Sequence, residues 1–386
     1  MQRLVLRGAR CLEGGSFGEA RDLWLQGGSI GPPAPAAGVP EIQLDGRLVL
    51  PALVNAHDVL DQSTLPPLGE RPPYHSLYEW IRASEIELAR HASALAVPLV
   101  DRLFLGGMRN LLAGTAAVLH HHADHRCLGR PDFPVRVQRR YGFAHAPGTT
   151  IALRRTYRSS DRRIPWIVRA AVGSDGALRA ELDVLAAARV LRQNTVIAHG
   201  TALEPGDAAR LAAAGACLAW CPESDLRLYG RTAPAYALRA AGVCVGLGSD
   251  GAAAGARDLV SSLPIARRAG GFDDAAVLDL ATRGSAAVAR LPLGGLQPPA
   301  PADLVATDSL DALLSGERRA VALLLVRGEA VYGEPGLMTC ARQPLVPLTV
   351  DGQRRALAAP LGRRFASLLR RYPAARAAAW LEGVAV

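Results

Sequence analysis

Val243-Cys244-Val245-Gly246-Leu247-Gly248-Ser249-Asp250-Gly251 is an apolar run that stops abruptly in a Gly-Ser-Asp-Gly turn. Such a run, short and bounded by turn residues, reads as a buried strand. Where strand–helix units close into a barrel, a carboxylate at the end of a strand lies at the mouth where chemistry is done. Upstream, Leu48-Val49-Leu50-Pro51-Ala52-Leu53-Val54-Asn55-Ala56-His57 repeats the arrangement, a second buried strand that delivers a polar residue. Around these two points, residues 51–290 alternate apolar strands with Ala/Leu/Arg-rich helical stretches such as 206–214 and 234–241. That rhythm is the one of parallel α/β architecture.

The flanks read differently. Residues 1–50 hold short strands, Leu4-Val5-Leu6 and Leu23-Trp24-Leu25, separated by glycine and a Pro/Ala-rich turn at 31–40. They read as the first half of a small β-sandwich. Residues 51–297 form the barrel, Pro298-Pro299-Ala300-Pro301 breaks the pattern, and 298–345 returns strands that complete the sandwich. The last segment, 346–386, is read as a helical extension: across 353–381, Leu357, Leu361, Phe365, Leu368 and Leu369 share one helical face, as in a helix pair docked on the barrel.

Composition suits a soluble enzyme. The chain has 386 residues, 49% of them hydrophobic, enough to bury a large core. Residues 1–7 lack the apolar core of a signal peptide, and no segment approaches the roughly 20 apolar residues that span a bilayer, so a cytoplasmic location and no membrane partner are expected. Six scattered cysteines show no framework spacing and are expected to be reduced, with Cys217 and Cys221 as core residues. The net charge of +9 comes entirely from arginine, since the 44 basic residues include no lysine. Short pairs such as Arg154-Arg155 and Arg363-Arg364 lack the interleaved aromatics that stack bases, so no nucleic-acid partner is expected.

Several motifs resemble the amidohydrolase superfamily, in its cytosine, guanine and s-triazine deaminase-like branch, from about residue 1 to residue 345. Pro51-Ala52-Leu53-Val54-Asn55-Ala56-His57-Asp58-Val59 is similar to that branch's P-G-L-V-N-x-H-x-H, with Val59 at the second histidine. Gly114 to Ala123, with His120, His121 and His122, resembles G-x-T-T-V-x-D-H-H-A; Ala144-His145-Ala146-Pro147 resembles H-A-P; Ala198-His199-Gly200 resembles A-H-G. Cys221-Pro222-Glu223-Ser224-Asp225-Leu226-Arg227-Leu228 is close to C-P-x-S-N-L-R-L, and Ala302-Asp303-Leu304-Val305 and Val326 to Gly333 resemble the closing strands. The fifth strand departs: Arg169 and Val172 stand where the family has a histidine and, three residues on, a glutamate. The resemblance implies a distorted (β/α)8 TIM barrel, C–N bond chemistry on a small cyclic or amidine-like substrate, and homodimers as the common assembly, while Arg169 points to an anionic substrate. The resemblance also implies a carbamylated lysine in two-metal relatives, for which this chain has no residue.

The chemistry then divides three ways. A deaminase-type metal site needs imidazoles and a carboxylate converging on one cation that activates water. His57, His199 and Asp250 remain, but Val59 cannot coordinate and Arg169 brings a permanent positive charge. In the first reading no metal is bound; Arg169 pairs with Asp250 and binds substrate, while His57, His199 and His145 act as acid–base groups of a hydrolase, lyase or cyclase. In the second, zinc or iron is held by a site rebuilt from His57, His120, His122, His199 and Asp250, with strand alternation putting His120 and His122 on one face and His121 on the other. In the third the barrel is a non-catalytic binding subunit. His120, His122 and Trp80 are further candidates for substrate contact, Trp80 lying in what resembles the family's lid, while Asp58 and Asp61 read as turn or capping residues.

Overall fold

The computed structural model describes residues 3–35, 38–158, 161–340 and 343–386. Strands β1 (Arg3–Glu13), β2 (Ser16–Gln26), β3 (Ser29–Gly31), β4 (Glu41–Gln43) and β5 (Leu48–Pro51) open the chain. Eight strands follow: β6 (Leu53–Asp58), β7 (Thr115–His120), β8 (Arg136–Val137), β9 (Gly142–Ala144), β10 (Trp166–Ala170), β11 (Thr195–His199), β12 (Cys217–Trp220) and β13 (Cys244–Leu247). These pair in parallel, as a three-stranded sheet β6-β7-β8 and a five-stranded sheet β13-β12-β11-β10-β9. Between the two sheets, the N–H groups of Ser249 and Asp250 just past β13 both donate to the carbonyl of His57 on β6, at 3.2 and 3.0 Å. The alternating strand–helix reading of the middle of the chain therefore holds.

Alternation along the strands sorts the side chains. Val54, Ala56, Ala117, Leu119, Ile167, Val196, Ala198 and Ala219 gather in one buried cluster. On β10 the neighbours of Ile167 on the opposite face, Trp166, Val168 and Ala170, pack in a separate, larger core with the surrounding helices. Arg169, two residues beyond Ile167, shares the interior face and projects above it.

The flanks meet in a third sheet. β14 (Leu304–Thr307) pairs antiparallel with β5, and β15 (Leu323–Val326), β16 (Glu329–Gly333), β17 (Leu345–Val350), β18 (Gln353–Ala358) and β19 (Val384–Ala385) extend it, giving eleven strands in all. Strands from the two flanks thus share one sheet, which also takes in strands from the segment after residue 345. The helix pair expected from 353 onward needs correction. Gln353–Ala358 is a strand, and one long helix, Ala359–Arg371, follows it. The reason is Val350-Asp351-Gly352-Gln353: Asp351 and Gly352 both have positive φ, 48° and 78°, the two-residue hairpin turn that Asp-Gly favours. Leu361, Phe365, Leu368 and Leu369 are buried along the helix as predicted. Among the described residues no helix is long and apolar enough to cross a membrane.

Candidate active site

His57, His199 and Asp250 meet. All three end strands or follow them directly, all are buried, and His57 Nδ1 lies 3.5 Å from Asp250 Oδ1 while His199 Nε2 lies 3.6 Å from Asp250 Oδ2. His199 and Asp250 hold positive φ, 69° and 57°, a conformation that costs a non-glycine residue on the order of 1–3 kcal/mol and concentrates at functional sites. Gly248 allows the approach: a Cβ there would stand 2.9 Å from both Cys221 Sγ and His57 Cβ.

Cys221, which the sequence suggested as plain core, faces this centre. Its Sγ is 3.8 Å from His57 Nδ1, and one donor atom each from His57, His199 and Cys221 lies within 4.8 Å of the others. Burial, with Asp225 and Asp250 nearby, pushes the thiol well above its ordinary pKa, so a free thiol here is uncharged.

The protonation of the rings follows from their outer partners. His121 Nε2 lies 3.1 Å from the carbonyl of Ala144, which can only accept, so Nε2 carries the proton and Nδ1 a lone pair. His57 Nε2 sits 2.7 Å from that Nδ1 and must donate to it, which leaves a lone pair on His57 Nδ1, the atom turned to Asp250 and Cys221. Burial first, and then the charge of Arg169, drive both His57 and His121 well below the usual imidazole pKa, consistent with neutral rings. On the other side, His199 Nδ1 donates to Asp225 Oδ1 at 2.7 Å, and Asp225 is held in turn by Thr232 at 2.9 Å. His199 Nε2 is thereby turned to Asp250. Burial would raise Asp250, but His199 and the Arg169 guanidinium outweigh it and keep the carboxyl below the usual range.

Arg169 reaches the same place from β10, with Nη2 3.4 Å from Asp250 Oδ1; the expected pairing is present. Val172 packs with Trp80, Tyr74, Leu77, Leu228 and Tyr229 in an apolar cluster. Trp80 is thus part of the roof formed by the helix Leu77–Leu88, which lies on the residues following β10, β12 and β13, and its contacts there are apolar packing.

The histidine triplet behaves differently from its expected parity. β7 ends at His120 and its register against β6 shifts between Asn55 and Asp58, so strand alternation does not extend past His120. His121, not His120 or His122, joins His57. His122 Nδ1 pairs with Asp61 at 2.9 Å, and His120 Nε2 lies 4.0 Å from the same carboxylate. A rebuilt site containing His120 and His122 is not what forms. His145 stacks on His121 at 6.2 Å between ring centroids and packs edge-on against His122 at 5.2 Å, exposed beside the centre. Asp58 is not a turn cap, whereas Asp61 lies in the first turn of the short 3-10 helix Leu60–Gln62 with its carboxylate toward His122. Asp58 is fully buried between Arg109 (2.9 Å) and Asn110 (2.6 Å), a brace beneath His57.

Comparison with known proteins agrees with the motifs. The model of the amidohydrolase family matches residues 166–331. A 5-methylthioadenosine/S-adenosylhomocysteine deaminase of Haloquadratum walsbyi is 40% identical over 128 residues, 31% of this chain and 29% of that protein. Another, from Nitratidesulfovibrio vulgaris, is 30% identical over 196 residues, 45% of this chain and 44% of that protein. These matches span less than half the length of either relative. Among solved structures, an adenosine deaminase from Xanthomonas campestris with bound zinc has a TM-score of 0.71 at 19% identity, covering 88% of this chain and 97% of that one. A mutant atrazine chlorohydrolase from Arthrobacter aurescens, complexed with zinc and atraton, has a TM-score of 0.68 at 18% identity over 85% and 95%. At such identities the likeness is one of fold, and the deaminase-like amidohydrolase resemblance stands.

Proposed function

We propose, for a chain that carries the amidohydrolase signature over residues 166–331, that it is a hydrolase acting on a C–N bond of a small nitrogen heterocycle, and that His57, His199, Cys221 and Asp250 hold a zinc ion. One observation carries this reading: ring nitrogens of two histidines, a carboxylate and a sulfur converge on one buried point. The donor types are those of zinc, and spacings of 3.5, 3.6 and 3.8 Å suit atoms that share an ion about 2.0–2.3 Å away. The outer partners, His121 on His57 and Asp225 on His199, are of the kind that orient metal-bound imidazoles. Arg169 opposes a cation, and the negative charges of Asp250 and of a bound Cys221 thiolate offset it.

Zinc bound there would lower the pKa of a water to about 7. Asp250, kept ionised, would be placed to hold a proton from that water and to pass it to the departing nitrogen of the C–N bond. Val172 occupies the position where the resemblance expects a glutamate, so proton transfer would fall to Asp250 alone, both nitrogens of His199 being engaged by Asp225 and the ion. The scaffold in this reading is one distorted (β/α)8 barrel made of the two parallel sheets, supported by the hydrogen bonds that link Ser249 and Asp250 to His57, with the eleven-stranded sheet as its β-sandwich.

Two measurements test it. Plasma mass spectrometry of untagged protein should find one zinc per chain, lost in His57→Ala and Cys221→Ala but kept in His120→Ala. Ammonia release from heterocyclic amines, starting with 5-methylthioadenosine because the curated relatives are named for it, should be detectable and abolished in Asp250→Asn. Metal-free, folded wild-type protein would sink the zinc reading and leave Arg169 and Asp250 as the centre.

A further inference from the structure

The centre contains a buried cation whose donors are mostly unused. Arg169 is 8% exposed, and among the described residues its one ion pair is the 3.4 Å contact with Asp250 and its buried Nε–H meets no acceptor. A guanidinium offers five N–H donors in a fixed plane and keeps its charge at any working pH. A buried charged donor left unmet is among the costlier defects a fold can carry, and such a group calls for a partner that is absent from the chain itself. Among the described residues the surrounding wall offers it no second ion pair: Val172 and Trp80 are apolar contacts of the roof, and Asp250 already faces two histidines.

We propose that Arg169 anchors an anionic group of the substrate, so that the compound processed at this centre is a heterocycle bearing a carboxylate. This rests on the reading of the centre as a C–N hydrolase and narrows its substrate class. Charge favours a carboxylate over a phosphate. Arg169 already shares its charge with Asp250, while Arg109 and Arg227, the other guanidiniums near the centre, are committed to Asp58 and to the carbonyls of Leu68 and Ala254. One guanidinium so placed balances a monoanion and not a dianion. Shape agrees, since a planar Y-shaped carboxylate accepts two parallel N–H bonds from the fork, a match that an ammonium cannot make.

Titration calorimetry on the purified protein reads this without turnover, using acetate and benzoate, each against its neutral amide. The carboxylates are expected to bind at least about tenfold more tightly than the amides, a difference that one good charge-assisted bidentate pair supplies. Arg169→Met should erase the preference, and Arg169→Lys, which keeps the charge and loses the fork, should weaken carboxylate binding while circular dichroism shows both variants folded. No preference in the wild type, or a preference that survives in Arg169→Met, overturns the proposal. His57→Ala separates it from the hydrolase reading. Metal lost with the preference retained supports the anchor on its own. A preference that vanishes with the metal yet persists in Arg169→Met means the anion sat on the metal, and the anchor fails.

Discussion

Asp225 decides which nitrogen of His199 faces Asp250, and this makes it a sharp test at the level of a single residue. With a carboxylate on Nδ1, the ring carries a proton there and leaves Nε2 as the nitrogen to hold a metal. In Asp225→Asn the amide can rotate to donate, which favours the other tautomer and turns an N–H toward Asp250. Loss of such an outer partner typically costs about 10–100-fold in metal affinity. Competition with a chelating dye should show a weakening of that size with the fold unchanged; unaltered affinity would mean His199 is not a ligand. His120 supports a second prediction, about pH. Burial, only partly opposed by Asp61, lowers its pKa to about 4, against about 6.5 for a free histidine. Between these values the unfolded chain binds a proton that the folded chain refuses. The stabilisation from keeping this ring neutral is therefore complete above the unfolded pKa and is lost as pH falls from about 6.5 toward 4. Between pH 7 and pH 5, His120→Gln should lose about 2 kcal/mol less unfolding free energy than the wild type, measured by denaturant titration. Equal losses would show that the ring is not buried neutral.

The helix Leu99–Leu112 is the element on which the brace beneath the centre depends. It brings Arg109 and Asn110 to Asp58, and it can come close because Gly106 lies on the carbonyl of Leu60, where a Cβ would collide with backbone. Gly106→Ala would gain helix propensity in an isolated helix. Here it is expected to destabilise the protein by about 1–3 kcal/mol, as overpacking does, and to loosen metal binding by displacing Asp58. A neutral or stabilising result in thermal melts would mean that the helix sits farther from β6 than described. Elements of this kind also show what the sequence could and could not tell. His57, His199 and Asp250 were legible because each ends an apolar run in a turn, and a strand end fixes where a side chain emerges. Choosing among His120, His121 and His122 was not possible by parity, because β7 stops at His120 and the chain leaves strand geometry. Cys221 read as core because a buried thiol and a thiol facing a site have the same local sequence. The one signal for its neighbourhood was Asp225, which stands where the resembling family has asparagine.

On the scale of the whole molecule, the ends of the chain are built into the scaffold. Arg318 is buried before β15, where its guanidinium meets Asp351 at 2.5 Å and the carbonyls of Trp380 and Glu382 at 2.6 and 2.7 Å. Trp380 in turn donates to the carbonyl of Ser63, in the loop that leaves β6 and the centre. The segment after residue 345 read as an appended helix pair because its arginines and leucines fall at helical spacing; its link to the rest of the fold rests on long-range contacts, those of Arg318 and Trp380 and those of Arg364 and Tyr372 with Asp101, which leave no periodic trace. If the last segment were a mere appendage, breaking its anchor would free it and leave the unfolding of the parallel sheets unchanged. The contacts argue the opposite. Arg318→Met leaves Asp351 and two carbonyls without their donor inside the protein, a change of the kind that costs about 3–5 kcal/mol. Because Trp380 couples the same segment to the loop beside the centre, that loss should appear as one cooperative transition shifted to lower denaturant. Tryptophan fluorescence and release of bound zinc should follow it together. Two separate transitions, with the metal held through the first, would show that the C-terminal segment folds independently of the barrel.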